Sequence, residues 1–160
     1  PVEVFDYTPP ELPPLWSAGE RLGLKVSYAP FDGRTLGKYR PDEKRIILST
    51  SDAAVWFHEL SHAVHNTFER LRPGMLQRAE ITAELSSAVL LELSGITGYQ
   101  HSAYKYIRHF SQGKDDTAVM QTIMTVLSDV EKVVGIIWNA GAESAETAGA
   151  AFTTPDRFSA

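Results

Sequence analysis

Apolar residues recur at two different periods along this chain. Between residues 24 and 49 the period is short. Leu24, Val26 and Tyr28 alternate with Lys25 and Ser27, Leu36–Arg40 makes a second short run, and Arg45–Ser49 contains the continuous block Ile46-Ile47-Leu48. Alternation at period two marks a half-buried strand, and a short apolar block bounded by turns marks a buried one. Asp32-Gly33 and Pro41-Asp42-Glu43-Lys44 supply the turns. From Ala53 onwards the period lengthens to that of helices. Val55, Trp56, Leu60, Ala63, Val64 and Phe68 give a broad apolar face to a helix over Ala53–Arg70, capped by Ser51 or Asp52. Pro73-Gly74 ends it, and a second helix is predicted from about Met75 to Ser94, closed by Gly95. Its stripe is Ile81, Leu85, Ala88, Val89 and Leu93. Because Ala79, Ala83, Leu90 and Leu91 are also apolar, it reads as buried nearly all round. A helix over His101–Gln112 follows. A long one then runs from Asp115 or Asp116 to about Asn139, with Val119, Ile123, Val126, Leu127, Val130, Val134 and Ile137 on its apolar side. The predicted class is α+β, a small antiparallel sheet of about three strands on a mainly helical bundle.

The ends differ in character. Residues 1–14 carry five prolines and read as an extended leader or the end of an interdomain linker. Leu15–Leu22 is a short helix stopped by Gly23. From Ala140 to Ala160 small residues dominate, which predicts a poorly ordered or surface tail. One domain over residues 15–139 is therefore expected. The chain starts at Pro1 rather than Met, as a processed protein or a piece of a longer one would.

Charge and composition narrow the chemistry. With 160 residues the chain can bury a sizeable core. A formal charge of −5 argues against direct nucleic-acid binding by this fragment. There is no cysteine, which excludes disulfides, a Cys nucleophile and Cys-ligated zinc, and suits a reducing cytoplasm. No stretch is apolar enough to predict a membrane partner. Histidines and carboxylates are left as metal ligands.

Such ligands stand together at His58-Glu59-Leu60-Ser61-His62, an H-E-x-x-H motif. On a helix, residues four apart lie about 40° beyond one full turn, so both imidazoles project from one face. That spacing lets two ring nitrogens share one tetrahedral ion. Glu59, about 100° round, is placed to act as a general base on a water there. The alternative is a buried amphipathic helix whose histidines are merely hydrogen-bonded.

A third ligand is sought on the next helix. Glu80 and Glu84 sit one turn apart on a helix otherwise too apolar for carboxylates, and buried carboxylates are costly unless paired, hydrogen-bonded or metal-bound. Glu80 follows His62 by 18 residues. A site of the gluzincin type takes its third ligand, a glutamate, from a separate helix about twenty residues on. Glu84 would then accept a hydrogen bond from the free N–H of a ligating histidine. Ordinary salt bridges to Arg70, Arg72 or Arg78 are the alternative. His65 competes as third ligand, but it stands two turns along the same straight helix, and no glycine follows His62 to turn the chain back. It reads as a surface residue or one behind the ligands.

Several segments together resemble one family. Gly37-Lys38-Tyr39-Arg40-Pro41-Asp42-Glu43-Lys44-Arg45-Ile46-Ile47-Leu48, Phe57-His58-Glu59-Leu60-Ser61-His62-Ala63, Ala79-Glu80-Ile81-Thr82-Ala83-Glu84-Leu85, and Gly95-Ile96 with His101-Ser102-Ala103-Tyr104 are similar to the zincin-like metallopeptidase domain of ArdC-type antirestriction proteins. The ImmA/IrrE metallopeptidases are more distant relatives of that family. The resemblance spans roughly residues 20–138. It implies a sheet packed on a helical bundle with a metal between two helices, His58, His62 and Glu80 as ligands and Glu59 as base. The implied reaction is zinc-assisted hydrolysis of a protein or peptide substrate, and His₂Glu ligation leaves other divalent metals open. His101 and Tyr104, one turn apart at the start of the following helix, are candidate donors to the oxyanion. Family members often continue the motif with T-G-H, where this chain has Val64-His65-Asn66. Their single-stranded-DNA-binding domain is missing from this sequence and would belong to a longer parent chain. A protein-binding module in antirestriction, with a structural metal, is the other function such a chain could have.

Overall fold

In the computed structural model, residues 5–69, 76–110 and 115–150 are described. Helix α1 (Trp16–Arg21) leads into strand β1 (Lys25–Tyr28), strand β2 (Gly37–Arg40), a 3₁₀ turn at Pro41–Glu43 and strand β3 (Arg45–Leu48). Four helices follow: α2 (Ala53–Phe68), α3 (Leu76–Leu93), α4 (Gln100–Phe110) and α5 (Asp116–Ala150). The fold is α+β.

The sheet is mixed, not antiparallel as expected. Its order is β1-β3-β2, with β3 parallel to β1 and antiparallel to β2. The reason lies in the apolar content of β3. Ile46 and Leu48 are fully buried, so this strand takes the centre, where both edges are paired. The Pro41–Lys44 turn, closed by Lys44 in the left-handed region at φ 47°, folds β3 back on β2. Asp32-Gly33 does turn the chain, since the Asp32 carboxylate accepts from the Arg34 and Thr35 N–H groups. It sits in a long connection that carries the chain past β3 and does not form a tight hairpin.

The core lies between the sheet and α2. Trp56, Phe57 and Leu60 on α2 are fully buried with Ile46 and Leu48. Burying each such side chain contributes about 2–3 kcal/mol. The Asp52 carboxylate accepts from the Ala54 N–H at 2.8 Å and so caps α2. The Trp56 indole donates to the Pro14 carbonyl at 3.1 Å, and Trp16 packs on Trp56 at 4.8 Å, which ties the end of the proline-rich leader and α1 to this core.

Helix α3 presents Ala79, Thr82, Ala83, Ser86 and Ser87 as its buried face beside Ile81, Leu90 and Leu91. Small side chains let α2 and α3 approach closely, and Ser87 donates to the Ala54 carbonyl at 3.0 Å. The helix ends as predicted. Gly95, at φ 77°, donates to the Glu92 carbonyl, and the Ile96 N–H donates to that of Leu91, the pair of bonds of a Schellman cap. It is not buried all round, however. Val89 and Leu93 are 40% and 50% exposed and border an apolar groove between α3, α4 and α5. On α5, Leu127 likewise faces solvent. The stretch from Ala140 is not a loose tail as far as it is described. Alanine favours helix, α5 runs on to Ala150, and Gly141 meets Leu15 so closely that an added Cβ would lie 2.5 Å from it. Residues 151–160 lie outside the described residues, as do Arg70 and Arg72.

Candidate metal centre

Helix α2 brings His58, Glu59 and His62 to a cleft of about 390 Å³ beside β2, and α3 brings Glu80 into the same cleft. The two imidazoles stand edge to face, with their Nε2 atoms 3.1 Å apart. Glu80 offers one oxygen to each: Oε2 lies 3.5 Å from His58 Nε2 and Oε1 lies 3.3 Å from His62 Nε2. Glu80 thus bridges the two rings through different oxygens, and the three groups make a compact triangle with contacts of 3.1–3.5 Å, close enough for one atom from each to reach a common ion.

The tautomer is set from behind. Glu84, one turn beyond Glu80, places Oε2 3.4 Å from His58 Nδ1. With the proton held on Nδ1, the Nε2 lone pair faces the triangle. Burial alone would lower His58, but hydrogen bonds to Glu80 and Glu84 outweigh it and raise its pKa to about 9. The bonds from His58 and His62 hold Glu80 well below the usual carboxylate range. Carboxylates thus crowd these imidazoles strongly enough to hold a positive charge among them, and a proton or a metal ion can meet that demand.

Glu59 points to the other wall. Burial raises its pKa, and the Tyr39 backbone N–H, donated to its carboxylate, opposes the rise. Gly37 explains how β2 comes so near. A Cβ there would lie 2.6 Å from Val55 Cγ1 and 2.8 Å from Glu59 Cγ. Gly37→Ala should therefore displace Glu59, cost about 1–3 kcal/mol of stability and lower any activity while leaving the metal content unchanged. Metal analysis beside a urea titration checks this.

The structure brings His58, Glu59, His62, Glu80 and Glu84 together. It does not bring His101 or Tyr104 to them. His101 is exposed, and Tyr104 donates to Asp116 on α5 at 2.5 Å. Neither lines the cleft. The tyrosine of α4 that reaches a candidate ligand is Tyr106, whose hydroxyl donates to Glu80 Oε2 at 3.1 Å. Burial and the Glu80 charge push its pKa up, so it stays a donor. Helical periodicity could have found it, because Tyr106 is about 200° round α4 from Tyr104 and next to Ala103 and Ile107, which are both buried.

His65 stands apart from this centre, and it is not a surface residue. It is 2% exposed, with Nε2 3.2 Å from Glu69 Oε2 and 3.6 Å from Asp129 Oδ2. Arg78 joins the same two carboxylates, making both Nε and Nη2 contacts to Asp129. His65, Glu69 and Asp129 have metal-ligand spacing too, but the guanidinium already supplies the cation there. This network pins the end of α2, the start of α3 and the middle of α5 together, two residues before Glu80. Arg78→Met should strand the buried Asp129 and cost about 3 kcal/mol, and adding Asp129→Leu should recover most of it. Urea midpoints of the two variants decide the point.

Compared with known protein families, curated proteins and solved structures, the chain matches none.

Proposed function

We propose that this chain is a zinc-dependent metallopeptidase domain of the gluzincin type, as its resemblance to ArdC-type proteins implies. The observation that carries the reading is the convergence of His58 Nε2, His62 Nε2 and the Glu80 carboxylate, which bridges both rings, beside a buried carboxylate on Glu59. Three protein ligands on an open cleft are the pattern of catalytic zinc, whereas structural zinc is closed by a fourth. Zinc bound there would supply Lewis acidity and a water of lowered pKa.

The remaining work falls to the chain. His58, oriented by Glu84, and His62 direct their lone pairs into the triangle, and Glu80 adds the negative charge. Glu59 takes a proton from the attacking water and passes it to the leaving amine nitrogen. Its raised pKa suits both halves of that transfer. The Tyr39 N–H keeps the carboxylate turned toward the cleft. The test is metal analysis of the purified, untagged chain together with hydrolysis of a mixed peptide library. One zinc per chain is expected, with cleavage that stops on chelation and returns with added Zn²⁺. A chain that neither retains nor takes up metal refutes the proposal.

A further inference from the structure

Among the described residues, the strand that walls the candidate centre has one free edge. Helix α2 packs under the sheet, and β2 is the last strand on the side of the cleft. The Ser49 N–H donates to the Leu36 carbonyl at 2.7 Å, and the register pairs Lys38 with Ile47 and Arg40 with Arg45. On the opposite side of β3, the carbonyls of Lys44 and Leu48 accept from Lys25 and Ala29. In an antiparallel ladder these directions alternate. Leu36, Lys38 and Arg40 therefore turn their backbone groups toward β3, and Gly37 and Tyr39 turn theirs outward. The outward Tyr39 N–H is the one that meets Glu59. The Gly37 N–H and carbonyl and the Tyr39 carbonyl are directed at the same edge, where an extended peptide can pair with them.

The charged side chains that the strands themselves place on the far face of the sheet are all cations, with Asp32 near Lys38 and Glu43 beside Arg40 and Arg45. By register, Lys25, Arg45 and Arg40 form one row across the three strands, and Ser27, Ile47 and Lys38 form the next. Residues 25–45 hold six Lys and Arg against three Asp and Glu, a local charge of +3 in a chain of −5. Lys38 and Arg40, both exposed, are the two at the free edge, and Lys38 lines the cleft itself. The partner of Arg40 is the exposed Glu43 at 2.8 Å, a surface pair that exchanges readily.

We infer that the β2 edge selects extended peptides with acidic side chains at two positions separated by one residue, placed against Lys38 and Arg40. A strand added there lies about 4.8 Å from β2. Its alternate side chains fall on the far face, opposite these two cations, while those between them point toward Glu59 and the histidines. The inference names a substrate class for the site proposed above and rests on that reading.

The test uses the full chain carrying Glu59→Gln, so that peptides stay intact, and reads fluorescence anisotropy. Labelled short peptides carry two Asp separated by one Ala, two adjacent Asp, or two Lys separated by one Ala, and a single-stranded oligo-dT is a fourth probe. The separated-Asp peptide should bind about fivefold more tightly than the adjacent-Asp one, the scale that two exposed cross-strand charge pairs supply. Lys38→Glu with Arg40→Glu should reverse the preference toward the Lys peptide. Equal affinity for the two Asp peptides, or no effect of charge reversal, would mean that these cations only guard the edge against self-pairing and would overturn the inference. Tightest binding to oligo-dT would overturn it in favour of a nucleic-acid face. Zinc content and library hydrolysis of the unsubstituted chain separate the two readings. A zinc-loaded, active protein without the preference sinks only this inference, whereas a metal-free, inactive protein that keeps it sinks only the metallopeptidase.

Discussion

Glu59→Gln is expected to keep one zinc per chain and to lower peptide hydrolysis about a thousandfold. Glutamine has the shape of glutamate, so the contact with Gly37 and the bond from the Tyr39 N–H can both persist through the amide oxygen. No metal ligand is touched. What disappears is the carboxylate on that wall of the cleft, a group able to take up a proton and release it again, since an amide does neither near neutral pH. Glu59→Asp makes a sharper comparison. It keeps a carboxylate but draws it back by one methylene, so it cannot reach both Tyr39 and an attacking water. An intermediate loss is expected. The measurements are metal content and kcat/KM on a cleaved library peptide. Activity within tenfold of the parent in Glu59→Gln would assign the proton transfer to another group.

These residues were legible because their information is local. His58, Glu59 and His62 lie within little more than one helical turn, and helix geometry alone dictates which way they project. Glu80 and Glu84 were legible for an energetic reason, being carboxylates in the stretch Ala79–Leu85, whose other members are Ala, Ile, Thr and Leu. Other parts depended on distant partners. Nothing near His65 announces Asp129, 64 positions away in the chain, or that Arg78 would supply the compensating charge. Tyr106 was missed because reading the start of a helix favours its first turn, although Ala103 and Ile107, apolar and four apart, mark the buried face beside it. Strand order was missed for a similar reason. The turn signals at Asp32-Gly33 and Pro41–Lys44 are alike in sequence, and only the burial of Ile46 and Leu48 makes β3 the middle strand.

Glu80→Ala should abolish stoichiometric zinc binding, and Glu84→Ala should only weaken it. Glu80 supplies an oxygen to each imidazole nitrogen, and the hydrogen bonds from both histidines hold its pKa below the usual carboxylate range. Its loss removes one of three ligands together with the negative charge that balances the ion. Glu84 touches only His58 Nδ1, on the far side of the ring. Without it, the imidazole can rotate and carry its proton on either nitrogen, a change that costs about 10–100-fold in metal affinity. Glu80→Ala should exceed that range, and Tyr106→Phe, which removes one hydrogen bond to Glu80, should fall below it. Competition against a zinc chelator of known affinity ranks the three variants, and thermal unfolding of the metal-free forms shows whether each still folds. If Glu84→Ala proved the more damaging, the carboxylate one turn further along would be the ligand, and the contacts of Glu80 with the two histidines would be a hydrogen-bonded cluster only.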